Sequence, residues 1–242
     1  MILPLKLENV CYQHQNSRHD DRMEALKNIN ISFEAGIKTV ILGPNGAGKS
    51  ILLKLCHGLL EPTEGHLYWN NLSPEEIRKN QAMVFTKPCL LNRSVWENLD
   101  YVLKLQKISR EERDKKTTDI LNRFGLSALK ERAALQLSTG EQQRLSFALA
   151  LSFGPTILFL DEPTANLDPR ATATIEHLVL QAHDQGTTIV MTTHDLLQAR
   201  RIADRIIFID EGRIIEEGNA TSFFAAPKSP EARDFLCGRL SE

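Results

Sequence analysis

Hydrophobic positions near the N-terminus alternate with polar ones at every second residue. This spacing covers residues 1–12, with Leu5 and Leu7 on one side, and returns over residues 25–34. Alternation with a period of two is typical of strands that are buried on one face. It predicts two strands of a sheet, joined by a polar loop over residues 13–24.

Beyond residue 38, short apolar runs alternate with segments of helical spacing. The predicted elements are, in order, strand 39–42, helix 48–57, a short strand pair at 66–69 and 82–85, helices 94–107, 109–124 and 140–152, strand 156–161, helix 169–185, strand 187–192, helix 195–203, and strands 205–210 and 213–216. Continuous apolar strands that alternate with helices predict a mostly parallel sheet with helices on both faces. Strand patterns are missing from 87–154, so we expect a helical lobe inserted into this α/β core.

Composition and charge narrow the class of protein. The chain has 242 residues, 42% hydrophobic content and a net charge of −2, which allow one sizeable domain and give no electrostatic support for nucleic-acid binding. No apolar run approaches the ~18 residues that span a bilayer, and the N-terminus does not resemble a signal peptide. The cysteines lack the spacing of a metal knuckle or a redox pair, so we expect reduced thiols at Cys11, Cys56, Cys89 and Cys237.

The motif GPNGAGKS occupies residues 43–50, directly after a predicted strand and at the start of a predicted helix. Its glycines let backbone N–H groups approach phosphate oxygens, and the helix directs its positive dipole end at the same anion. Lys49 is placed to reach the β- and γ-phosphates, and the Ser50 hydroxyl is suited to Mg²⁺. A glycine-rich turn with a chance lysine would not require these flanking elements. The motif therefore predicts a P-loop that binds a nucleoside triphosphate.

A second candidate for phosphate chemistry is the pair Asp161 and Glu162, which follows the apolar residues 157–160. Carboxylates at the carboxyl end of a strand face the ligand site of an open α/β sheet. We predict that Asp161 holds Mg²⁺ and that Glu162 accepts a proton from the attacking water or orients it. An Asp-Glu-Pro turn can follow any strand, so this interpretation depends on the P-loop upstream.

Residues 137–144 read LSTGEQQR and resemble the signature LSGGQ of the ATP-binding cassette (ABC) ATPases. The P-loop, helical lobe, signature, Asp-Glu strand and a histidine follow in the family's order, so the resemblance covers nearly the whole chain. It implies an ABC-type fold with an N-terminal antiparallel β-subdomain, and a head-to-tail dimer that holds two ATP molecules. In such a dimer, Ser138 and Gly140 face the γ-phosphate bound by the other copy. Ser138 and Glu141 also fit the capping box of an ordinary helix, and the two roles are compatible.

The resemblance assigns further residues to the nucleotide. Asp168 lies in the loop that reaches across the dimer, and His194 corresponds to the histidine that contacts the γ-phosphate. Tyr12 matches the aromatic residue that stacks on adenine, with an ordinary strand tyrosine as the alternative. The expected catalytic residues are Glu162, His194 and Lys49; the expected ATP contacts are Tyr12, Gly43, Pro44, Asn45, Gly46, Ala47, Gly48, Lys49, Ser50, Ile51, Ser138, Gly140 and Asp168; and the expected Mg²⁺ ligands are Ser50, Asp161 and Thr86.

Three positions depart from the family's pattern. Thr86 stands where the family usually has a glutamine that touches the metal and the attacking water, and its shorter side chain implies slower turnover. Thr139 replaces the first glycine of the signature pair, and Leu149 stands where arginine is common. Trp96 lies in a stretch that contacts membrane subunits in ABC importers. The alternative is a tryptophan packed inside a helix that is capped by Ser94.

We assign residues 1–242 to one nucleotide-binding domain. Residues 1–86 and 155–242 would form the α/β core with its β-subdomain, and residues 87–154 the helical subdomain. The resemblance implies a peripheral ATPase at the cytoplasmic face of the plasma membrane, with ATP and Mg²⁺ as ligands. Its expected partners are a second copy, permease subunits and an extracytoplasmic solute-binding protein, with no nucleic acid.

Three segments suggest which solute is transported. Residues 84–99, 189–203 and 223–240 resemble importers of oxyanions, the tungstate type in particular. The alternatives are another ABC importer or a multi-subunit exporter, a non-transport ABC protein that works on DNA or ribosomes, and a nucleotide sensor that barely hydrolyses. The short helical lobe, the single cassette and the lack of a basic patch argue against the DNA or ribosome alternative.

Overall fold

A computed structural model describes residues 3–13, 24–70 and 72–239. Its strands are β1 Leu5–Gln13, β2 Glu24–Phe33, β3 Lys38–Leu42, β4 Glu64–Trp69, β5 Gln81–Val84, β6 Ile157–Asp161, β7 Thr188–Thr192, β8 Arg205–Asp210 and β9 Arg213–Asn219. Its helices are α1 Lys49–His57, α2 Pro74–Lys79, α3 Val95–Leu105, α4 Arg110–Arg123, α5 Thr139–Leu151, α6 Pro169–Asp184, α7 Leu196–Ile202, α8 Ala220–Ala225 and α9 Pro230–Leu236. The predicted loop 13–24 lies almost wholly outside the described residues.

The strands form two sheets. The core sheet has six strands in the order β5-β6-β7-β3-β8-β9, and all its pairings are parallel except that of β9 with β8. The smaller sheet has the order β2-β1-β4 and is antiparallel. This arrangement, with helices α3 to α5 inserted between β5 and β6, confirms the predicted ABC-type P-loop fold.

The inner strands of the core sheet are buried on both faces, which explains why they read as nearly continuous apolar runs. In β6, Ile157 and Phe159 pack into the hydrophobic cluster that includes α1, whereas Leu158 and Leu160 pack into the cluster on the other face. All four side chains are fully buried. Successive side chains of a strand point to opposite faces, so two apolar layers demand an apolar residue at every position.

The strands predicted at 66–69 and 82–85 are present as β4 and β5, but the prediction that they pair with each other is wrong. β4 pairs with β1 in the smaller sheet, and β5 pairs with β6 in the core sheet. The two strands also differ in burial, because β4 has an exposed face and β5 is mostly buried. Helix α2 separates them and was not predicted, although its capping box, Ser73 with Glu76, is visible in the sequence.

The helical insert packs on one face of the core sheet. Ser94 caps α3 through a capping box with Glu97, and the half-buried Trp96 packs against the main hydrophobic cluster. Near the C-terminus, Phe223 is buried in that cluster and Phe224 lies against it. None of the helices in the described ranges combines the length and hydrophobicity that crossing a bilayer requires.

The fold predicts that Phe159 is a principal support for the face of the sheet that carries α1. It is fully buried, and its ring meets His57 and Trp69 edge-on, with ring centroids 6.0 Å and 6.5 Å away. Phe159→Ala should lower the free energy of unfolding by about 3–5 kcal/mol, because a cavity replaces the ring. Chemical denaturation followed by circular dichroism measures the loss. Phe153→Ala, at a residue that is 42% exposed, is the matched control, and equal losses in the two variants would contradict the prediction.

Candidate active site

The loop over residues 43–50 joins the carboxyl end of β3 to the first turn of α1. Gly48 is the N-cap residue of α1 and has a left-handed backbone, with φ of 99°. No described side chain caps this helix, so the first backbone N–H groups of α1 are left for another acceptor. Together with the helix dipole, these groups favour an anion at the loop.

Two glycines of the loop are required by close approach of other backbone segments. A Cβ atom on Gly43 would overlap the carbonyl oxygen of Ile209 in β8. A Cβ atom on Gly48 would lie 2.7 Å from the carbonyl oxygen of Ala25 in β2, in addition to the left-handed φ at that residue. The loop can therefore pass between these strands only with glycine at both positions.

The Lys49 side chain is folded back along the loop. Its Nζ donates to the carbonyl oxygens of Gly43, at 2.8 Å, and Pro44, at 2.9 Å, and the residue is only 5% exposed. Nζ also lies 3.9 Å from Oε1 of Glu162. Burial lowers the pKa of the Lys49 ammonium, and the nearby carboxylates of Glu162 and Asp161 oppose that shift. A cation is thus held inside the cradle that the loop forms.

Asp161, at the end of β6, is the hub of the site. Its Oδ1 accepts hydrogen bonds from the Ser50 hydroxyl, at 2.7 Å, and from the Thr192 hydroxyl, at 2.9 Å. Asp161 is 5% exposed and Thr192, the last residue of β7, is fully buried. A carboxylate beside a hydroxyl offers the oxygen ligands that Mg²⁺ prefers, so the residues present fit this ion.

Thr192 was missed at the sequence level. The signal was nevertheless available, because Thr192 ends a strand two residues before His194, just as Asp161 ends β6. The carboxyl ends of neighbouring parallel strands meet at one edge of the sheet. A polar residue at the end of either strand was therefore a candidate partner for the other.

Glu162 and His194 face each other beside this hub. His194 Nδ1 lies 3.1 Å from Glu162 Oε2, and the histidine side chain is 59% exposed. Glu162 has a left-handed backbone, with φ of 44°, and its N–H lies 3.0 Å from the Thr192 hydroxyl oxygen, which accepts from it. A left-handed φ is uncommon for a residue other than glycine, and such strain is concentrated at functional sites.

Thr86 adjoins the hub but does not point its hydroxyl proton at the Asp161 carboxylate. Its Oγ1 donates to the backbone carbonyl oxygen of Asp161 at 2.8 Å. The preceding carbonyl, that of Phe85, accepts from the Gln143 side chain of α5 at 3.3 Å. Thr86 therefore joins β6 to the segment that contacts the helical insert, and the free lone pairs of its oxygen remain available to a ligand.

The structure does not bring the signature residues to the P-loop of the same chain. Ser138 is exposed, caps α5 and forms the predicted capping box with Glu141. Among the described residues, no hydrogen bond joins Ser138 or Gly140 to the loop 43–51. Asp168 likewise caps a helix, since its Oδ1 accepts from the first N–H groups of α6. Tyr12 is half-buried in β1, opposite Leu26 of β2.

Comparisons with known proteins agree with this geometry. The family described as ABC transporter matches residues 26–165. The tungstate uptake system ATP-binding protein TupC of Peptoclostridium acidaminophilum is 39% identical over 196 residues, which cover 81% of this chain and 90% of TupC. The arginine transport ATP-binding protein ArtM of Bacillus subtilis is 34% identical over 230 residues, covering 91% of this chain and 95% of ArtM.

A solved structure shows the same fold. It is described as a dimeric post-hydrolysis state of the ATP-binding cassette MJ0796 bound to ADP and Pi, and it matches with a TM-score of 0.79 and 31% identity. The match covers 89% of this chain and 98% of that one. The family match over more than half of the sequence, the two full-length relatives and this structure lead to one conclusion: the chain belongs to the ATP-binding subunits of ABC transporters and is an ATPase of that family.

Proposed function

We propose that this chain is the motor subunit of an ABC importer, in which two copies bind and hydrolyse ATP and drive separate membrane subunits. The observation that supports it most is the cluster of Lys49, Ser50, Asp161, Glu162 and His194, which meets at the carboxyl ends of β3, β6 and β7. Together these groups can bind a triphosphate, hold a cation that prefers oxygen ligands, and transfer a proton.

In this proposal, residues 43–51 surround the phosphates of ATP with backbone N–H groups, and the Lys49 ammonium neutralises the β- and γ-phosphates. Tyr12 stacks on adenine and contributes about 1–3 kcal/mol. Ser50 and Asp161 hold Mg²⁺, with the oxygen of Thr86 as a further ligand. Bound there, the ion would neutralise phosphate charge as it develops.

Glu162 is the proposed general base that accepts the proton of the attacking water, and His194 contacts the γ-phosphate. The two side chains are 3.1 Å apart, so each orients the other before substrate arrives. The Glu162 N–H bond to Thr192 fixes the backbone of the base. Positioning of this kind is the main contribution that a protein makes to phosphoryl transfer.

A second copy would complete each site. Ser138 and Gly140 lie at the exposed N-terminus of α5, a 13-residue helix whose dipole favours an anion, and no described hydrogen bond links them to their own P-loop. In a dimer, Ser138 and Gly140 would contact the γ-phosphate of the ATP that the other copy holds. Asp168 would lie at the same interface. The dimeric MJ0796 cassette supports this arrangement.

The membrane partners in this proposal are permease subunits, with a solute-binding protein outside the membrane, and the chain itself is peripheral at the cytoplasmic face. We propose an oxyanion such as tungstate as the solute. TupC, named for tungstate uptake, is 39% identical, against 34% for the arginine-transport relative ArtM. An importer of another solute or a multi-subunit exporter is the alternative.

A weakly hydrolysing nucleotide sensor is the second candidate function, and Thr86 is the observation that favours it. A hydroxyl that is bonded to the Asp161 carbonyl reaches less far into the site than a glutamine amide would. Glu162 and His194 favour the motor subunit over the sensor, because their proposed roles are in hydrolysis.

Replacing the proposed base separates these candidates. Glu162→Gln keeps the shape of the side chain but cannot take up a proton, so ATP turnover should fall at least about 100-fold while ATP binding is retained. Phosphate release and nucleotide titration measure the two effects. Glu131→Gln, at an exposed residue of the helical insert, is the control and should match the unchanged chain. Similar, near-zero turnover in the unchanged chain and in Glu162→Gln would support the sensor.

The Thr86 position should limit turnover. Thr86→Gln restores an amide of longer reach, so it should raise kcat or the coupling of hydrolysis to transport. Steady-state ATPase assays and uptake in vesicles that contain the complete transporter test both quantities. Thr86→Val removes the hydroxyl without adding reach and should not produce the increase. Absence of a rise in either quantity with Thr86→Gln would contradict the hypothesis.

Partners of the chain can be identified directly. A tagged chain purified from gently solubilised native membranes should bring down a multi-span permease and a solute-binding protein, identified by mass spectrometry. The binding protein should then bind tungstate or molybdate more tightly than phosphate or arginine in calorimetric titrations. Preference for an amino acid would overturn the oxyanion assignment alone. If only soluble partners are recovered and the chain is absent from the membrane fraction, the proposal of an importer is overturned.

A further inference from the structure

A buried amide lies close to the active site but outside the set of residues that would touch ATP. Gln198, the third residue of the short helix α7, is fully buried. Its Nε2 lies 2.9 Å from the hydroxyl oxygen of Thr164, in the turn between β6 and α6. We propose that this contact, the Thr164–Gln198 bridge, positions Glu162 and His194 for hydrolysis.

The orientation of the Gln198 amide follows from its neighbours. Nε2 also lies 3.2 Å from Oε1 of Glu176, on α6, and a carboxylate can only accept a hydrogen bond. Glu176 is in turn held by Arg201, whose Nε and terminal nitrogen donate to its two carboxylate oxygens at 2.9 Å and 2.6 Å. Hydrogen bonding to Glu176 raises the pKa of Arg201, so the guanidinium keeps its charge. The amide nitrogen must therefore face Glu176 and Thr164.

Thr164 belongs to the turn that carries the proposed base at its start. The Ala165 N–H donates to the carbonyl of Glu162 at 3.1 Å, and the Leu167 N–H donates to the carbonyl of Thr164 at 3.2 Å. Glu162 and Asn166 both have left-handed backbones, with φ of 44° and 62°. A turn with two such residues needs support from its surroundings to keep its shape.

Gln198 belongs to the segment that carries the histidine. His194 immediately precedes Asp195, the N-cap residue of α7, and the Gln198 N–H donates to the Asp195 side chain at 3.0 Å. The turn and this segment are thus joined at two points, by the Glu162–His194 contact in the site and by the Thr164–Gln198 bridge behind it. The first joint is exposed on the histidine side, whereas the second is fully buried on the Gln198 side and fixed to an ion pair.

From this arrangement we expect the bridge to affect the rate of hydrolysis and not the binding of ATP. Neither Thr164 nor Gln198 contacts residues 43–51 in the described hydrogen-bond network. A displacement of the base or the histidine by a fraction of an ångström changes the alignment of the attacking water, on which phosphoryl transfer depends. Both residues are accordingly positioning residues that act through Glu162 and His194.

The test compares Thr164→Val, which keeps the shape of the side chain but removes the hydroxyl, with Thr164→Ser, which keeps the hydroxyl. Thr164→Val should lower kcat about tenfold or more and leave KM for ATP within about twofold, because only the alignment is lost. Thr164→Ser should stay near the unchanged chain. Thr174→Val is the matched control, since the exposed Thr174 hydroxyl donates to the Arg170 carbonyl within α6 and no described hydrogen bond joins it to Glu162 or His194.

A second variant, Gln198→Leu, removes the other half of the bridge. Combined with Thr164→Val, it should be no slower than the slower single variant, because both changes break one contact. Thr164 is only half-buried, so Thr164→Val remains informative even if Gln198→Leu does not fold. Melting temperatures are measured alongside, because a purely structural bridge would lower them without changing kcat.

Two results would overturn the inference. One is a normal kcat in folded Thr164→Val, and the other is a double variant whose loss is the product of the two single losses. The inference rests on hydrolysis by the unchanged chain, which is measured first. If the unchanged chain does not turn over ATP, both the proposed motor function and this inference fail, whereas normal turnover with an unaffected Thr164→Val contradicts the inference alone.

Discussion

The two hydrogen bonds on Oδ1 of Asp161 hold the active site together. One comes from Ser50, in the helix that follows β3, and the other from Thr192, at the end of β7. Because β7 lies between β6 and β3 in the sheet, these bonds tie the ends of three neighbouring strands to a single atom. Burying a carboxylate costs free energy unless hydrogen bonds compensate for the lost water. The hydroxyls of Ser50 and Thr192 provide that compensation for Asp161.

The fold was predictable from the sequence where periodicity carried the information. Apolar runs of strand length and helices of clear spacing predicted the core sheet and the helical insert, because burial on two faces leaves a strong pattern. Pairing was less predictable. β4 and β5 are short and close in sequence, yet they belong to different sheets, and only the exposed face of β4 hints at this. Which strand meets which depends on packing at long range, which no local pattern contains.

The site divides in the same way. Lys49, Ser50, Asp161 and Glu162 were predictable because their motifs need a strand end or a helix start, and the structure brings them within contact of one another. Thr192 and Gln198 were not predicted. Single polar residues within an apolar strand or a short helix resemble ordinary variation, and their importance depends on which distant side chain they meet. Thr86 was noticed as a departure, but its bond to the Asp161 backbone required the fold.

The position of Lys49 affects how a ligand enters. Its ammonium group is bonded to the carbonyls of Gly43 and Pro44, so it bridges the base of the P-loop. Contact with phosphate oxygens then exchanges one set of charge-assisted bonds for another, and only the difference contributes to affinity. In return, these bonds hold the loop in one shape, and a fixed loop lowers the entropic cost of association. Lys49 therefore gives the P-loop a fixed shape at the expense of part of its own attraction for phosphate.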